Sequence, residues 1–300
     1  MSDDPQKPLV DLKPTKEFFI GIDSDGCAFD TMEIKHKECF CPNFIEKFHC
    51  QAVSKYTREA WDFVNLYSQW RGCNRWLAVL HVLDLLHDRP EVTRRTTSIT
   101  RGERIRAFVD SDSPRSNDGL TAFIAKTTDP EAKAALEHAL GWSLAVNETI
   151  ARMVHDVPPF PFMRESLEKA APKADMIVVS QTPVEALTRE WKEHNIDGFV
   201  HVIAGQEMGK KSEHLKLAAG EKYPNDRILM VGDAPGDLKA ARDNDALFFP
   251  VNPGNEEASL ERFHNEALDR FVAGEYAGDY EQALLDEFNK LLPDTPPWKK

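Results

Sequence analysis

The sequence predicts an α/β protein: a parallel sheet flanked by helices, with an all-helical domain inserted into it. Three observations carry that prediction. Phe18–Ile22, FFIGI, is an apolar run of strand length, and it ends in Asp23-Ser24-Asp25-Gly26. From 33 to 157 the apolar residues recur at helical spacing and no strand pattern appears. Beyond Val157-Pro158-Pro159-Phe160-Pro161, strands and helices alternate, as parallel βαβ units do. The expected division is 17–32 and 158–300 for an α/β core, with C-terminal helices from about 256, and 33–157 for a helical domain.

After the opening strand, Asp30 reads as a helix cap, with Glu33 three residues on. Tyr56–Trp70 brings Trp61, Val64, Tyr67 and Trp70 near one helical face. Arg75–His87 is again helical, until Pro90 breaks the pattern. Glu91–Asn117 is polar and rich in Arg, Ser and Thr, and reads as loop. Its Arg94, Arg95, Arg101, Arg104 and Arg106 read as a solvated face. Pro130–Leu140 and Trp142–Val154 read as two helices. The proline run at 157–161 is a rigid linker. Then come helix Phe162–Ala170, strand Met176–Val179, helix Val184–His194, strand Phe199–Ile203, helix Ser212–Gly220, strand Arg227–Val231, helix Leu238–Asp243 and strand Ala246–Val251. Glu256–Leu292 reads as two amphipathic helices, and 293–300, PDTPPWKK, as a tail.

A formal net charge of −13 argues against nucleic acid or an anionic membrane as the main partner. Met1–Lys16 lacks the apolar stretch of a signal peptide, and no run approaches the length of a membrane span. A cytoplasmic location is the expectation. The 5 cysteines are few and odd in number, which favours free thiols. His36, Cys39, Cys41, His49 and Cys50 lie close in sequence, but their spacing fits none of the common zinc patterns. Buried small side chains are the better reading.

The polar residues gather at strand exits. Asp23 and Asp25 stand at alternate positions of an extended chain, so both reach one spot, and Gly26 permits a sharp turn behind them. Two carboxylates at one spot resist double ionisation and favour a proton or a cation. The second strand ends in Ser180-Gln181-Thr182. The third is followed by Gly209-Lys210-Lys211, and the fourth by Gly232-Asp233-Ala234-Pro235-Gly236-Asp237. In parallel sheets these exits converge, and ligands bind there.

Together these segments resemble the four signature motifs of the haloacid dehalogenase (HAD) superfamily, in the order that family uses. The resemblance covers roughly 17–32 and 158–252, and it places the helical insertion where the family carries a C1-type cap. It implies a HAD-like Rossmannoid sheet, Mg2+ as cofactor, and a small phosphorylated metabolite as substrate. Asp23 would be the nucleophile and Asp25 the general acid and base. Asp23, Asp233 and the backbone carbonyl of Asp25 would hold the metal, with Asp237 as a further ligand or its support. Ser180 and a lysine would hold phosphoryl oxygens. Lys210 follows a glycine, as in members with Gly-Lys-Pro; Lys211 stands just before a helix, as in members without that proline, and is the preferred assignment. In the cap, Arg71 and Arg75 flank Gly72 in Trp70–Trp76 and are candidates for reading the leaving group. The expected activity is a Mg2+-dependent phosphohydrolase using an aspartyl-phosphate. The alternatives are a phosphomutase of the same fold and a catalytically silent phosphate-binding protein. The sequence leaves the substrate and the oligomeric state open.

Overall fold

The computed structural model describes residues 4–95 and 99–299. The chain forms two compact units, Met1–Met32 with Asp156–Leu292, and Glu33–His155 with Pro293–Lys300.

The first unit is built on five parallel strands: β1 (Phe18–Ile22), β2 (Ala174–Val179), β3 (Val202–Ala204), β4 (Ile228–Gly232) and β5 (Leu247–Pro250). Their order is β3-β2-β1-β4-β5, so β1 is central. Ile20 stands opposite Met176 on one side, and Gly21 opposite Met230 on the other. Successive residues serve opposite faces. Phe18, Ile20 and Ile22 pack with Met176, Val178, Leu229 and Trp191. Phe19, Ile177 and Met230 pack with Leu215 and Phe288. Both faces are covered, which is why the strands read as continuous apolar runs rather than alternating ones. This is the expected α/β class, and the motifs stand at the strand exits. β3 is displaced from the predicted Phe199–Ile203, because Asp197–Phe199 makes a 3-10 turn first.

The second unit is helical. Trp61, Trp76 and Trp142 are fully buried at its centre. Trp142 meets the other two rings at 6.0 and 5.8 Å in edge-to-face arrangements. Cys39, Cys41 and Cys50 are buried among these helices as free thiols. The section expected to be loop contains a helix, Glu103–Val109, whose Ile105, Phe108 and Val109 are buried. Arg104 and Arg106, interleaved with them, mask that short apolar stripe in the sequence. Residues 96–98 of that section lie outside the described residues. Pro130–Met153 is one helix rather than two. Gly141 does not break it, since a side chain there would meet nothing, and Leu136, Trp142 and Val146 hold the helix by packing.

The C-terminal segment is not a loose tail, and it groups with the helical unit instead of the core to which the sequence assigned it. Pro293 accepts a hydrogen bond from the Gln69 amide at 3.3 Å. Arg89 lies between the rings of Tyr56 and Trp298, at 4.5 and 4.6 Å. Lys299 pairs with Asp88 at 2.9 Å. These partners are remote in sequence, so no local pattern announces them. Among the described residues no helix is long and apolar enough to cross a membrane.

At the opposite end of the sheet from the motifs, Asp175 on β2 is fully buried. It accepts hydrogen bonds from the Thr15 amide and hydroxyl (2.7 and 2.6 Å), the Lys16 amide (2.9 Å) and Tyr223 Oη (2.6 Å). His201 Nε2 adds another at 2.9 Å. Burial alone would raise its pKa, but the Thr15 and Tyr223 bonds and the backbone amides hold it down to about 2. A depressed carboxyl pKa stabilises the fold above the unfolded value, near 3.9, and that stability is lost as pH falls towards 2. The shift corresponds to about 2.5 kcal/mol. Asp175→Asn is expected to lose about that much at pH 7 in urea denaturation. Its stability should also change less than the wild type's between pH 4 and 2. Parallel acid limbs for the two proteins would show that Asp175 does not set the acid sensitivity.

Candidate active site

Asp23 continues β1 by one residue, its amide donating to Val231 of β4 at 2.9 Å. That fixes the carboxylate at the strand exit. It is buried, 4% exposed. Its Oδ1 accepts the Ser24 amide at 2.8 Å, and its Oδ2 lies 2.7 Å from Lys211 Nζ. Ser24 turns to other partners: its hydroxyl accepts from Trp191 Nε1 at 3.0 Å and donates to Glu190 at 3.2 Å.

Lys211 opens the helix Lys211–Ala218, and its ammonium bridges Asp23 and Asp237, the latter at 2.6 Å. Lys210 is exposed and, among the described residues, is bonded to neither carboxylate. Asp233 and Asp237 come from the β4 exit and the first turn of Pro235–Arg242. Asp237 is fully buried and folds back, its Oδ2 accepting the Asp233 and Ala234 amides at 3.2 and 3.0 Å. That satisfies amides of a helix start and suits the positive end of its dipole.

Asp25 is held apart from this cluster. Thr182 donates to its Oδ2 at 2.8 Å, and the Thr31 hydroxyl donates to its Oδ1. Ser180 is 2% exposed, fixed by its amide to Ala204 at 3.0 Å, and its hydroxyl accepts from the Thr182 amide at 3.2 Å. Thus Asp23, Asp233, Asp237 and Lys211 form one cluster, and Asp25, Thr31, Thr182 and Ser180 are linked beside it. Sequence reasoning assigned no role to Thr31 or Thr182. Thr182 sat in the second motif's own segment, and its hydroxyl was the available signal.

The electrostatics follow from burial. Burial pushes the Asp23 carboxyl well above its usual range, Lys211 pulls it back, and Asp237 and Asp233 push it up again. Burial would lower the Lys211 pKa, but Asp23 and Asp237 hold it far above the ordinary lysine value. The carboxylate oxygens of Asp23, Asp233 and Asp237 lie within 4.8 Å of one another. Three carboxylates against one ammonium leave an excess of negative charge in a nearly dry place. An all-oxygen donor set with that excess fits a hard divalent cation such as Mg2+. Arg71 and Arg75 lie in the helical unit: Arg71 is 3% exposed and donates to the Leu66 carbonyl at 2.9 Å, whereas Arg75 is half-buried.

Gly232 is the device that brings Asp237 in. A Cβ on Gly232 would stand 2.4 Å from Asp237 Cβ and 2.6 Å from its carboxylate. Gly232→Ala should therefore displace Asp237 from Lys211. The melting temperature is expected to fall, because Lys211 then loses one of its two buried partners. A Gly232→Ala protein that melts with the wild type would show that Asp237 needs no such clearance.

The parallel order with β1 central, and the motif residues at the exits of β1, β2 and β4 and after β3, are the arrangement expected from the motifs. The fold is an α/β parallel sheet with a helical insertion. No family model matches the chain, and no curated protein matches it. Several solved structures do. A candidate phosphoglycolate phosphatase from Lactobacillus delbrueckii subsp. bulgaricus aligns at 17% identity over 86% of this chain and 99% of that one, with a TM-score of 0.49. A haloacid dehalogenase-like family hydrolase from Streptococcus pneumoniae aligns at 14% identity over 84% and 93%, TM-score 0.43. CbbY from Rhodobacter sphaeroides, solved with phosphate, aligns at 17% identity over 80% and 87%, TM-score 0.39. At these identities no activity transfers, and the chemistry rests on this chain's own residues.

Proposed function

We propose that the protein is a Mg2+-dependent phosphohydrolase that cleaves a small phosphorylated metabolite through an aspartyl-phosphate on Asp23. The observation that carries this reading is the Lys211 ammonium, bonded to both Asp23 and Asp237, with Asp25 two residues from Asp23 on the same strand exit. A carboxylate approaching a phosphoester is repelled by it. Lys211 lowers that repulsion and offers its ammonium to a phosphoryl oxygen, and the Ser180 hydroxyl offers another donor. Asp23, Asp233, Asp237 and the Asp25 carbonyl would hold Mg2+, which would supply further neutralisation of phosphoryl charge.

In the first half-reaction an Asp23 oxygen bonds to phosphorus as the ester P–O bond breaks, and Asp25 gives its proton to the leaving oxygen. In the second, water attacks phosphorus and gives its proton to Asp25. The Asp23–phosphorus bond breaks and inorganic phosphate leaves. Thr31 and Thr182 aim Asp25 for both transfers. The burial of Arg71 favours a role in holding its own loop.

Leaving-group dependence tests this assignment. An alkoxide needs a proton as it departs, whereas a nitrophenolate does not. Asp25→Asn should slow an alkyl phosphate about 100-fold more than an aryl phosphate, the range of general acid catalysis. Equal losses on both esters would remove Asp25 from that role. Return of the phosphoryl group to a sugar hydroxyl, in place of water, would mark a phosphomutase.

A further inference from the structure

Ser24 stands between Asp23 and Asp25 in the chain and is fully buried. A buried position that only had to be filled would take an apolar side chain. A hydroxyl there is costly unless its donor and its acceptor are both engaged. Both are. Trp191 Nε1 donates to the hydroxyl at 3.0 Å, and the hydroxyl donates to Glu190 Oε2 at 3.2 Å.

The backbone of the same residue is as fully engaged. Its amide donates to Asp23 Oδ1 at 2.8 Å. Its carbonyl accepts the Ala28 and Phe29 amides at 2.9 and 3.0 Å. Those bonds close the turn that carries Asp25, in which Gly26 adopts a φ of 78° and donates to the Phe29 carbonyl at 2.8 Å. Phe29 is fully buried, its ring edge-on to Trp191 at 5.8 Å. Ser24 thus holds one oxygen of Asp23 and anchors the turn behind Asp25.

Glu190 and Trp191 lie on the helix Val184–Glu193, which follows the exit of β2. Thr182, two residues before that helix, donates to Asp25. The segment after β2 therefore grips the exit of β1 at two points, on Asp25 from before the helix and on Ser24 from near its end. Two points of attachment fix a rotation that one would leave free. All of these residues belong to the α/β unit.

We infer that Ser24 is a positioning residue: held by Trp191 and Glu190, it sets the direction of the Asp23 carboxylate relative to Asp25. Its hydroxyl is committed to those two partners, so it acts through Asp23 and not on a substrate. The consequence for turnover rests on the phosphohydrolase reading. The aim of Asp23 at Lys211 does not.

Two measurements test the inference, and only the first needs turnover. Ser24→Ala removes both hydroxyl bonds and strands the Trp191 N–H. On an aryl phosphate its kcat is expected to fall by about tenfold, since a small misplacement of a reacting group is costly. KM should stay within about twofold, because Lys211 and Ser180 are untouched. Glu190→Gln keeps an acceptor for the hydroxyl and should retain most of the rate. Glu190→Leu, at a half-buried position, should reproduce the Ser24→Ala loss with the strand unaltered. A kcat equal to that of the wild type in Ser24→Ala, or a change in KM alone, overturns the inference. The second measurement is a double-mutant cycle of melting temperatures in magnesium-free buffer. Lys211→Met strands Asp23 and Asp237. In a Ser24→Ala background, where Asp23 is less well aimed, the fall caused by Lys211→Met is expected to be about a third smaller. Strictly additive falls overturn the inference. Glu190→Leu takes the place of Ser24→Ala in the cycle if that variant does not fold. A coupled cycle in a protein that hydrolyses no ester would sink the phosphohydrolase and leave the positioning role standing.

Discussion

Asp23→Asn is expected to abolish phosphate release while the protein stays folded. The amide is close in shape to the carboxylate, so β1 and its hydrogen bonds to β4 need not move. It is a poor nucleophile, and turnover should fall by at least about 10,000-fold, the scale seen when a nucleophile is removed. The stability effect runs the other way. Asp23 is buried and shares 4.8 Å of space with Asp233 and Asp237. Removing one of three crowded carboxylates relieves like-charge repulsion and desolvation, and Lys211 keeps Asp237 as partner. In magnesium-free buffer the melting temperature should therefore hold or rise. Activity within tenfold of wild type would refute the aspartyl-phosphate. A collapse in melting temperature would make Asp23 a structural residue.

Lys211→Met is the second large expectation, and it inverts the first. The methionine fills the lysine stem but leaves Asp23 and Asp237 without their ammonium. Breaking a buried ion pair by removing one partner costs about 3–5 kcal/mol. The variant should melt well below wild type in EDTA and regain more of that loss than wild type does when Mg2+ is added, since the cation compensates the stranded carboxylates. Its turnover should fall by about 100- to 1,000-fold, the cost of one preorganised charge-stabilising donor. A melting temperature equal to wild type would mean that the ammonium is not needed to hold the carboxylates together. The same substitution at Lys210, which is exposed, is expected to change neither readout by much.

The alternation of short apolar runs and helical patterns after Pro161 reflects strands buried on both faces, and such runs are visible in sequence because burial demands unbroken hydrophobicity. The helical insertion was legible for the same reason, through Trp61, Val64 and the Arg75–His87 stripe. Its details were not. Glu103–Val109 was hidden by charged residues around three apolar ones, and Gly141 suggested a break that packing overrides. The C-terminal segment was read as a tail because Trp298 meets Arg89 and Phe63, partners that only folding brings near.

The sequence by itself determined the fold class and the carboxylates. Asp23, Asp25, Asp233 and Asp237 stand in short segments whose spacing and strand context are local properties. Tertiary structure decided everything that depends on which side chain faces which. It set the Lys211 ammonium against Asp23 and Asp237 and left Lys210 exposed, because the two neighbouring side chains point in different directions. It added Thr31 and Thr182, whose hydroxyls reach Asp25 from the helix after β1 and the exit of β2. It separated Arg71, buried in its loop, from Arg75, held by Ser143 and Asn147. Spacing along a chain fixes which residues can lie at a strand end; direction in space arises only when several elements pack.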